Sequence, residues 1–299
     1  MLNTLCNEWN KGFEQLHVRY DEQLKAMFFE MRPQPLPSFT PRLLEDLNSF
    51  QQQVARYIEQ DSKSEERNIE YLIFASDVPN VFQLGGDLKF FVDCITSGDR
   101  ETLTRYAHLS IDVLYANYDN LGLPVTTISL VNGTALGAGF EAALSSDYIV
   151  AEQQVEFQFP EIVFNMFPGM GAYSFLSRRL DSATVERMIL DGNSFNAEQM
   201  AEKGLIDQLA EPGQAMTALE KFIRRHRRAR VNHDAVLKMR RIINPVTKDE
   251  LMQIADLWVD SAFSLSPTNI KAMSRIVKAQ TRHLERTAAE ADEAVALKR

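Results

Sequence analysis

Residues 131–147, VNGTALGAGFEAALSSD, decide the fold because small residues lead directly into a helix that carries an acidic side chain in its first turn. A helix N-terminus offers unpaired N–H groups and the positive end of the helix dipole, so it can stabilise a developing oxyanion. Gly137 and Ala138 supply such amides without side-chain obstruction. Glu141 lies among apolar residues, where burial would raise its pKa and the helix N-terminus would lower it. The alternative is a buried glutamate with a structural partner.

A second acidic residue, Glu161, lies in the apolar stretch VEFQFPEIVFNMFPGMGAYSFLSRRL, residues 155–180. A carboxyl group in such surroundings needs a reason to be there, because charged groups are costly to bury. General acid/base catalysis supplies one, since it uses a carboxyl group that changes protonation state near the working pH. The 20-residue gap from Glu141 permits the two side chains to meet in space, without showing that they do.

A third segment, VFQLGGDLKFF at residues 81–91, joins a short β-forming run to an apolar helix. Gly85 and Gly86 let the backbone approach a ligand closely, and Asp87 is placed to cap the helix that follows. A plain turn followed by a cap is the alternative interpretation.

The order of the segments predicts an α/β fold. Residues 18–31 form a hairpin or paired strands, and apolar residues at helical spacing indicate a helix over residues 43–60. Buried strands are expected at IEYLIFASD, VTTISLVNG and DYIVAE, with a helix around RYAHLSIDVLYANYDNL. Helices between strands imply right-handed crossovers and a mainly parallel sheet. The chain from about Ser182 onward is nearly all helix-forming.

Composition excludes several classes of protein. The chain has 299 residues, 45% of them hydrophobic, and a net charge of −9, which argues against wholesale binding to nucleic acid. No apolar run approaches the roughly 18 to 20 residues that cross a membrane, so we expect a cytoplasmic protein without a membrane partner. Cys6 and Cys94 are expected to be plain thiols, and no metal site or cofactor is expected.

One basic run, from Arg224 to Arg230, stands out against the acidic composition. It is either a solvated helix face or a docking surface for an acidic partner or for ligand phosphates. Binding of nucleic acid rests on this run alone.

The three segments resemble, in order and spacing, those of the enoyl-CoA hydratase/isomerase (crotonase) superfamily. The resemblance covers roughly residues 20 to 210 well, including LDGNSFNAEQMAEKGLIDQLAE, and the remainder more loosely. It implies a crotonase (ClpP/crotonase-like) fold, with a β-α-β spiral core and N-terminal extension over residues 1–210. A C-terminal helical region over residues 211–299 would belong to the same compact unit.

Carried over position by position, the resemblance implies that Glu141 and Glu161 are the catalytic acid/base pair. The oxyanion amides would be those of Gly86 and of Ala138, where many members of the family have glycine. Glu161 is assigned to the α-proton and Glu141 to the hydroxyl group or water, although the sequence leaves the roles open. The resemblance also implies a homo-oligomer, a trimer or hexamer.

The run FNMFPGMGAYSFLSRR, the extended N-terminus and the segment around Trp258 resemble more narrowly the diffusible-signal-factor synthases, the RpfF group. That resemblance implies dehydration of a 3-hydroxyacyl thioester, carried by acyl carrier protein or CoA, and hydrolysis to a free cis-2-unsaturated fatty acid used in quorum sensing. A sensor-kinase receiver domain would be a possible partner. A conventional enoyl-CoA hydratase and a non-catalytic acyl-binding regulatory protein are the alternatives.

An acyl chain also needs an apolar pocket, which flexible methionines could adapt to chain length. The residues expected to bind it, with core packing as the alternative, are Leu84, Gly85, Leu136, Gly137, Phe167, Met170, Gly171 and Trp258.

Overall fold

The computed structural model describes residues 2–61 and 67–296, with side chains up to residue 282. Its strands are β1 Leu16–Asp21, β2 Ala26–Met31, β3 Tyr71–Ser76, β4 Val81–Gln83, β5 Thr126–Val131, β6 Thr134–Leu136, β7 Tyr148–Glu152, β8 Glu156–Gln158, β9 Phe195–Asn196 and β10 Gln208–Ala210. Its α-helices are α1 Leu2–Asn10, α2 Pro41–Asp61, α3 Leu88–Ser97, α4 Arg100–Tyr118, α5 Ala138–Leu144, α6 Ala172–Ser177, α7 Ser182–Asp191, α8 Ala197–Glu202, α9 Ala215–Arg228, α10 Arg230–Ile243, α11 Lys248–Phe263 and α12 Pro267–Ala296.

The larger sheet has six strands in the order β1-β2-β3-β5-β7-β10. Strands β1 and β2 form the antiparallel hairpin expected at the N-terminus, and every other pair is parallel. All residues of β3 and β5 are buried, which explains why their sequences are nearly continuous runs of β-forming residues rather than alternating patterns. The prediction of a mainly parallel sheet with helical crossovers is confirmed.

A second sheet, in the order β4-β6-β8-β9, has no counterpart in the sequence-based prediction. Its strands contain only two or three residues each, too few to produce a recognisable alternation. Strands β4, β6 and β8 are parallel to one another. Their carboxyl ends therefore meet at one edge, which brings together the three loops that the sequence had singled out.

Helices cover both faces of the larger sheet. On one face, α2 buries the predicted stripe that includes Leu47, Phe50 and Val54, and the side chain of Phe50 stacks on Phe29 of β2 with ring centroids 5.0 Å apart. On the other face, α9 buries Leu219 against a separate cluster of apolar residues from the sheet. Along the described residues, none of the helices is long and apolar enough to cross a membrane.

The basic run turns out to be only partly solvated. His226 is fully buried on α9, and its Nδ1 lies 3.0 Å from the hydroxyl group of Tyr71. Arg227 and Arg230 both pair with Glu70, at 3.3 and 2.7 Å. Arg224 remains 65% exposed. Part of the run therefore anchors α9 and α10 to the sheet, whereas Arg224, Arg225 and Arg228 are exposed, and a docking surface there stays a prediction.

A buried carboxylate holds the N-terminal segment to α2. Asp46 accepts backbone hydrogen bonds from Glu14 and Gln15, at 2.9 and 2.7 Å, and pairs with Arg42 at 2.9 Å. We expect Asp46→Ala to lower the free energy of unfolding by about 2–4 kcal/mol, because it leaves two N–H groups without their acceptor and removes the shortest ion pair of Arg42 among the described residues. Urea unfolding measures the loss. Glu45→Ala is the control, since that side chain is 61% exposed. Equal losses in the two variants would contradict this role.

Candidate active site

The loops after β4, β6 and β8 enclose a cavity of about 490 Å³. Helices α3, α4 and α11 form the rest of its wall. The lining residues are Gly86, Leu88, Phe91, Tyr106, Ala107, Ser110, Ala138, Glu141, Glu161, Phe164, Gly169, Met170 and Trp258. The structure thus brings both candidate carboxylates and both candidate oxyanion amides to the wall of one cavity.

The amide groups of Gly86 and Ala138 are free to bind an oxygen atom. Neither N–H has a hydrogen-bond acceptor in the part of the chain that the structure describes. A Cβ atom on Gly86 would lie 2.4 Å from the ring of Phe91, so only glycine fits there. Asp87 accepts a 3.0 Å hydrogen bond from the amide of Phe90, which confirms it as the cap of α3 and fixes the end of this loop.

Glu141 is held in place by the loop that follows Glu161. Its Oε1 atom accepts hydrogen bonds from the amides of Met170 and Ala172, at 2.7 and 2.9 Å. The side chain is almost completely buried, and this desolvation raises its pKa to about 7, against the opposing effect of the amide donors. The PGMG turn therefore positions a carboxylate, a role that the sequence analysis did not assign to it.

The carboxyl group of Glu161 has fewer hydrogen-bond partners than that of Glu141. It lies in a 3₁₀ helix, Pro160–Phe164, and although the residue as a whole is partly exposed, its Oε2 atom is buried without a hydrogen-bond partner among the described residues. Burial raises its pKa to about 8, and the nearby charge of Glu141 adds to the shift. The two carboxyl groups interact and therefore titrate as a pair. Oε1 of Glu141 has two amide donors, whereas Oε2 of Glu161 has no partner among the described residues, so the ionised form of Glu141 is the better stabilised of the two.

Gly137 sets the spacing between this pair and the oxyanion amide. Its φ of +50° is one that L-amino acids with side chains rarely adopt, and a Cβ atom would lie 2.2 Å from Oε1 of Glu161. Its own amide donates to the carbonyl of Gln158, at 2.8 Å, which ties β6 to β8. Glycine at this position therefore lets Glu161 approach the amide of Ala138.

The residues expected to bind the acyl chain separate into two groups. Met170 and Trp258 line the cavity, and Gly171 lies beside Met170 as the N-cap of α6. Leu84, Gly85 and Leu136 lie behind the oxyanion loops, outside the lining. Phe167 belongs to a second cavity, with Tyr173 and Leu257. Its side chain leaves the turn on the other side from Met170, so the structure does not bring it to the two carboxylates.

Sequence reasoning missed the helical wall of the cavity. Tyr106, Ala107 and Ser110 lie on one face of α4, and their spacing of one, three and four residues was the available signal. It went unused because the same spacing is typical of core packing. The hydroxyl group of Tyr106 donates a 2.6 Å hydrogen bond to the carbonyl of Phe39, so it is fixed in place.

Residues 31–255 match the protein family described as "Enoyl-CoA hydratase/isomerase". The chain belongs to this family. The alpha subunit of the fatty acid oxidation complex from Pseudomonas savastanoi pv. phaseolicola is 28% identical over 153 residues, 51% of this chain and 21% of the relative. The same subunit from Pseudomonas syringae pv. tomato is 26% identical over 183 residues, 60% of this chain and 25% of the relative. The chain thus spans about a quarter or less of the length of these relatives.

Solved structures agree in fold. An enoyl-CoA hydratase from Bacillus halodurans is 19% identical, with a TM-score of 0.71, and the match covers 88% of this chain and 100% of that one. Human mitochondrial delta3-delta2-enoyl-CoA isomerase is 17% identical, with a TM-score of 0.70, covering 90% of this chain and 99% of that one. The predicted crotonase fold is confirmed.

We expect Gly137→Ala to lower kcat/KM for the acyl-thioester turnover proposed below by about 100-fold or more, because the new methyl group displaces the Glu161 carboxyl group, the proposed base. Gly204→Ala is the control: Gly204 also has a positive φ, of +75°, but nothing lies within 4 Å of its Cβ position. Circular dichroism checks that both variants fold. Comparable losses of activity in the two would contradict the role of Gly137 as a spacer.

A second expectation concerns stability and pH. An unfolded glutamate ionises near its ordinary pKa of 4.5, whereas the folded pKa of Glu161 is about 8. Between these values the unfolded state releases a proton that the folded state retains, so this group's contribution to stability is full below pH 4.5 and is lost as the pH rises through 8. Glu161→Gln should therefore gain on the order of 2 kcal/mol or more relative to the native protein between about pH 4.5 and pH 9. Urea unfolding at both pH values measures this gain, and a constant difference would contradict it.

Proposed function

We propose that this protein dehydrates a 3-hydroxyacyl thioester to the cis-2-enoyl thioester and then hydrolyses it, releasing a free cis-2-unsaturated fatty acid. One observation carries the proposal. Two interacting carboxyl groups with raised pKa values face the same cavity as two unpaired amides. The resemblance of residues 164–179 to the diffusible-signal-factor synthases supports the cis product and the hydrolysis, and the apolar wall of the cavity suits an acyl chain.

Dehydration starts with Glu161 ionised and Glu141 protonated. Glu161 takes the proton from the carbon next to the thioester, and the amides of Gly86 and Ala138 stabilise the negative charge that develops on the carbonyl oxygen. Glu141 gives its proton to the leaving hydroxyl group, which departs as water. The pair ends with the proton on Glu161 and the charge on Glu141.

This end state is the one that the hydrogen bonds of the site favour. Amide donors stabilise the ionised form of Glu141, while Glu161 has no donor for Oε2. Ionised Glu141 can then deprotonate water, whose oxygen attacks the thioester carbonyl carbon. The same two amides hold the tetrahedral oxyanion. As the carbon–sulfur bond breaks, Glu161 protonates the departing thiolate, and the pair returns to its starting state.

The carrier of the acyl group is proposed to be acyl carrier protein or CoA, and the reaction uses only groups of the chain and substrate. The sequence-based expectations of a homotrimer or hexamer, of a receiver-domain partner and of a cytoplasmic location stay predictions.

A conventional enoyl-CoA hydratase is the second candidate, and one observation favours it. Hydration of a 2-enoyl thioester begins with Glu161 protonated and Glu141 ionised, which is the state that the hydrogen bonds favour. The two candidates differ in product. Release of a free fatty acid from 3-hydroxyacyl carrier protein or 3-hydroxyacyl-CoA supports the first, and hydration of crotonyl-CoA without acid release supports the second. Binding of acyl thioesters without turnover would support a regulatory protein instead.

We expect Glu141→Gln to abolish both steps and Glu161→Gln to abolish dehydration, each by about 100-fold or more. Glu161→Gln should retain part of the hydrolysis of a supplied cis-2-enoyl thioester, because a thiolate can leave without prior protonation. Mass spectrometry of the released acid measures both steps. Glu156→Gln is the control, since Glu156 is exposed at the start of β8. Near-native dehydration in either active-site variant would contradict the two-carboxylate mechanism.

A further inference from the structure

A third and smaller cavity lies between the ends of α6 and α10. It shares no lining residue with the cavity that contains Glu141 and Glu161. Its walls are formed by Tyr118, Leu144, Ser146, Asp147, Phe175, Arg178, Arg179, Arg240, Asn244 and Val246. Three guanidinium groups on the wall of so small a space are unusual, because like charges repel and each needs several hydrogen-bond acceptors.

The first of these groups is only partly satisfied. Arg178 makes a two-pronged pair with Glu250, at 2.7 and 2.8 Å, and donates to the carbonyl of Pro245. Its Nε atom is nevertheless buried without a hydrogen-bond partner in the described ranges. An acceptor is therefore missing on that side of the guanidinium.

The guanidinium groups of Arg179 and Arg240 have fewer and weaker hydrogen bonds than that of Arg178. Arg179 reaches only the carbonyls of Leu205 and Ser146, at 3.4 and 3.3 Å, which are long contacts for a charged donor. Burial lowers its pKa, Asp207 opposes this shift, and Arg240 adds to it, which shows that the two cations are close together. The guanidinium of Arg240 forms no hydrogen bond and no ion pair with any described side chain or carbonyl.

The charges around this space do not cancel. Asp147 pairs with Arg241 at 3.0 Å, Glu250 pairs with Arg178, and Asp207 faces Arg179. Four cations thus meet three carboxylates, which leaves one excess positive charge, and Arg240 faces Asp147 and Asp207 without a hydrogen bond to either.

We propose that this cavity binds a small oxyanion, a phosphate or carboxylate group, between Arg178, Arg179 and Arg240. Guanidinium groups bind such anions through parallel N–H donors, and an anion here would supply the acceptors that Nε of Arg178 and the side chain of Arg240 lack. The apolar side chains of Leu144, Phe175 and Val246 leave room for only a small ligand body beside the anionic group.

Isothermal titration calorimetry with inorganic phosphate and, separately, with sodium acetate tests the proposal, with chloride keeping the ionic strength constant. We expect saturable binding of at least one probe, and Arg240→Gln should weaken it by about tenfold or more, because a charge-assisted contact is lost. The probe that binds more tightly shows whether phosphate or carboxylate is the preferred group. Without ligand, the Arg240→Gln variant should keep its fold, which circular dichroism checks, since Arg240 has no hydrogen bond to lose among the described residues.

Arg224→Gln is the matched control, because it removes the same charge from an exposed arginine whose only ion pair is a 3.8 Å contact with Glu220. If it weakens binding as much as Arg240→Gln does, the attraction is a general effect of charge and the proposal is wrong. Absence of saturable binding of both probes also overturns it. Should Arg240→Gln fold poorly, Asn244→Asp places a negative charge on the cavity wall and must weaken binding; unchanged affinity in that variant refutes the site.

Discussion

Two backbone hydrogen bonds to Oε1 of Glu141 connect the parts of this molecule that matter for its chemistry. They join α5 to the loop before α6, and so hold the PGMG turn against the helix that carries the first carboxylate. They also lower the free-energy cost of ionising the buried Glu141. The Oε2 atom of Glu161 has no such donor among the described residues. These contacts contribute to the lower pKa of Glu141, about 7 against about 8 for Glu161, whose pKa is raised by burial and by the charge of Glu141.

Three glycines around that contact leave no room for a side chain without movement of their neighbours. A side chain on Gly137 would strike Glu161, one on Gly86 would strike Phe91, and one on Gly169 would strike Trp258, which a Cβ atom there would approach to 2.5 Å. Interiors are packed too densely to absorb such overlaps without movement. The carboxylates and amides are therefore held in position by neighbours that touch each other, and burial of the carboxyl groups is a consequence of that packing. The same burial raises the pKa values of Glu141 and Glu161 to near neutrality and lowers the stability of the fold at high pH.

Sequence reasoning succeeded where the determining interactions are local. The cap at Asp87, the apolar stripe of α2 and the buried strand β3 each depend on residues within a few positions of one another, so their patterns could be read directly. It also singled out Glu141 and Glu161, which the structure brings to one cavity, because an acidic residue in an apolar stretch is conspicuous in any context. It did not predict the second sheet, because strands of three residues are too short to show a pattern and form only through contacts with distant residues. It did not predict the α4 wall of the cavity either, because only the tertiary structure shows that Tyr106, Ala107 and Ser110 face a cavity and not the core. Phe167 was misplaced for the same reason: which way a side chain leaves a turn depends on the elements packed around it.

The position of Trp258 changes how the C-terminal helices should be regarded. This side chain belongs to α11, yet it packs edge-on against Phe91 of α3, with ring centroids 5.0 Å apart, and forms part of the catalytic cavity. Helix α11 is held against α4 by an ion pair of Lys248 with Asp112 and by a contact between His108 and Asp256, at 2.7 Å each. These pairs are exposed and individually weak, so apolar contacts such as those of Trp258 must provide most of the attachment. Because the same contacts close the cavity, any ligand that fills the space beside Phe91 and Trp258 also buries the surface that holds α11 in place.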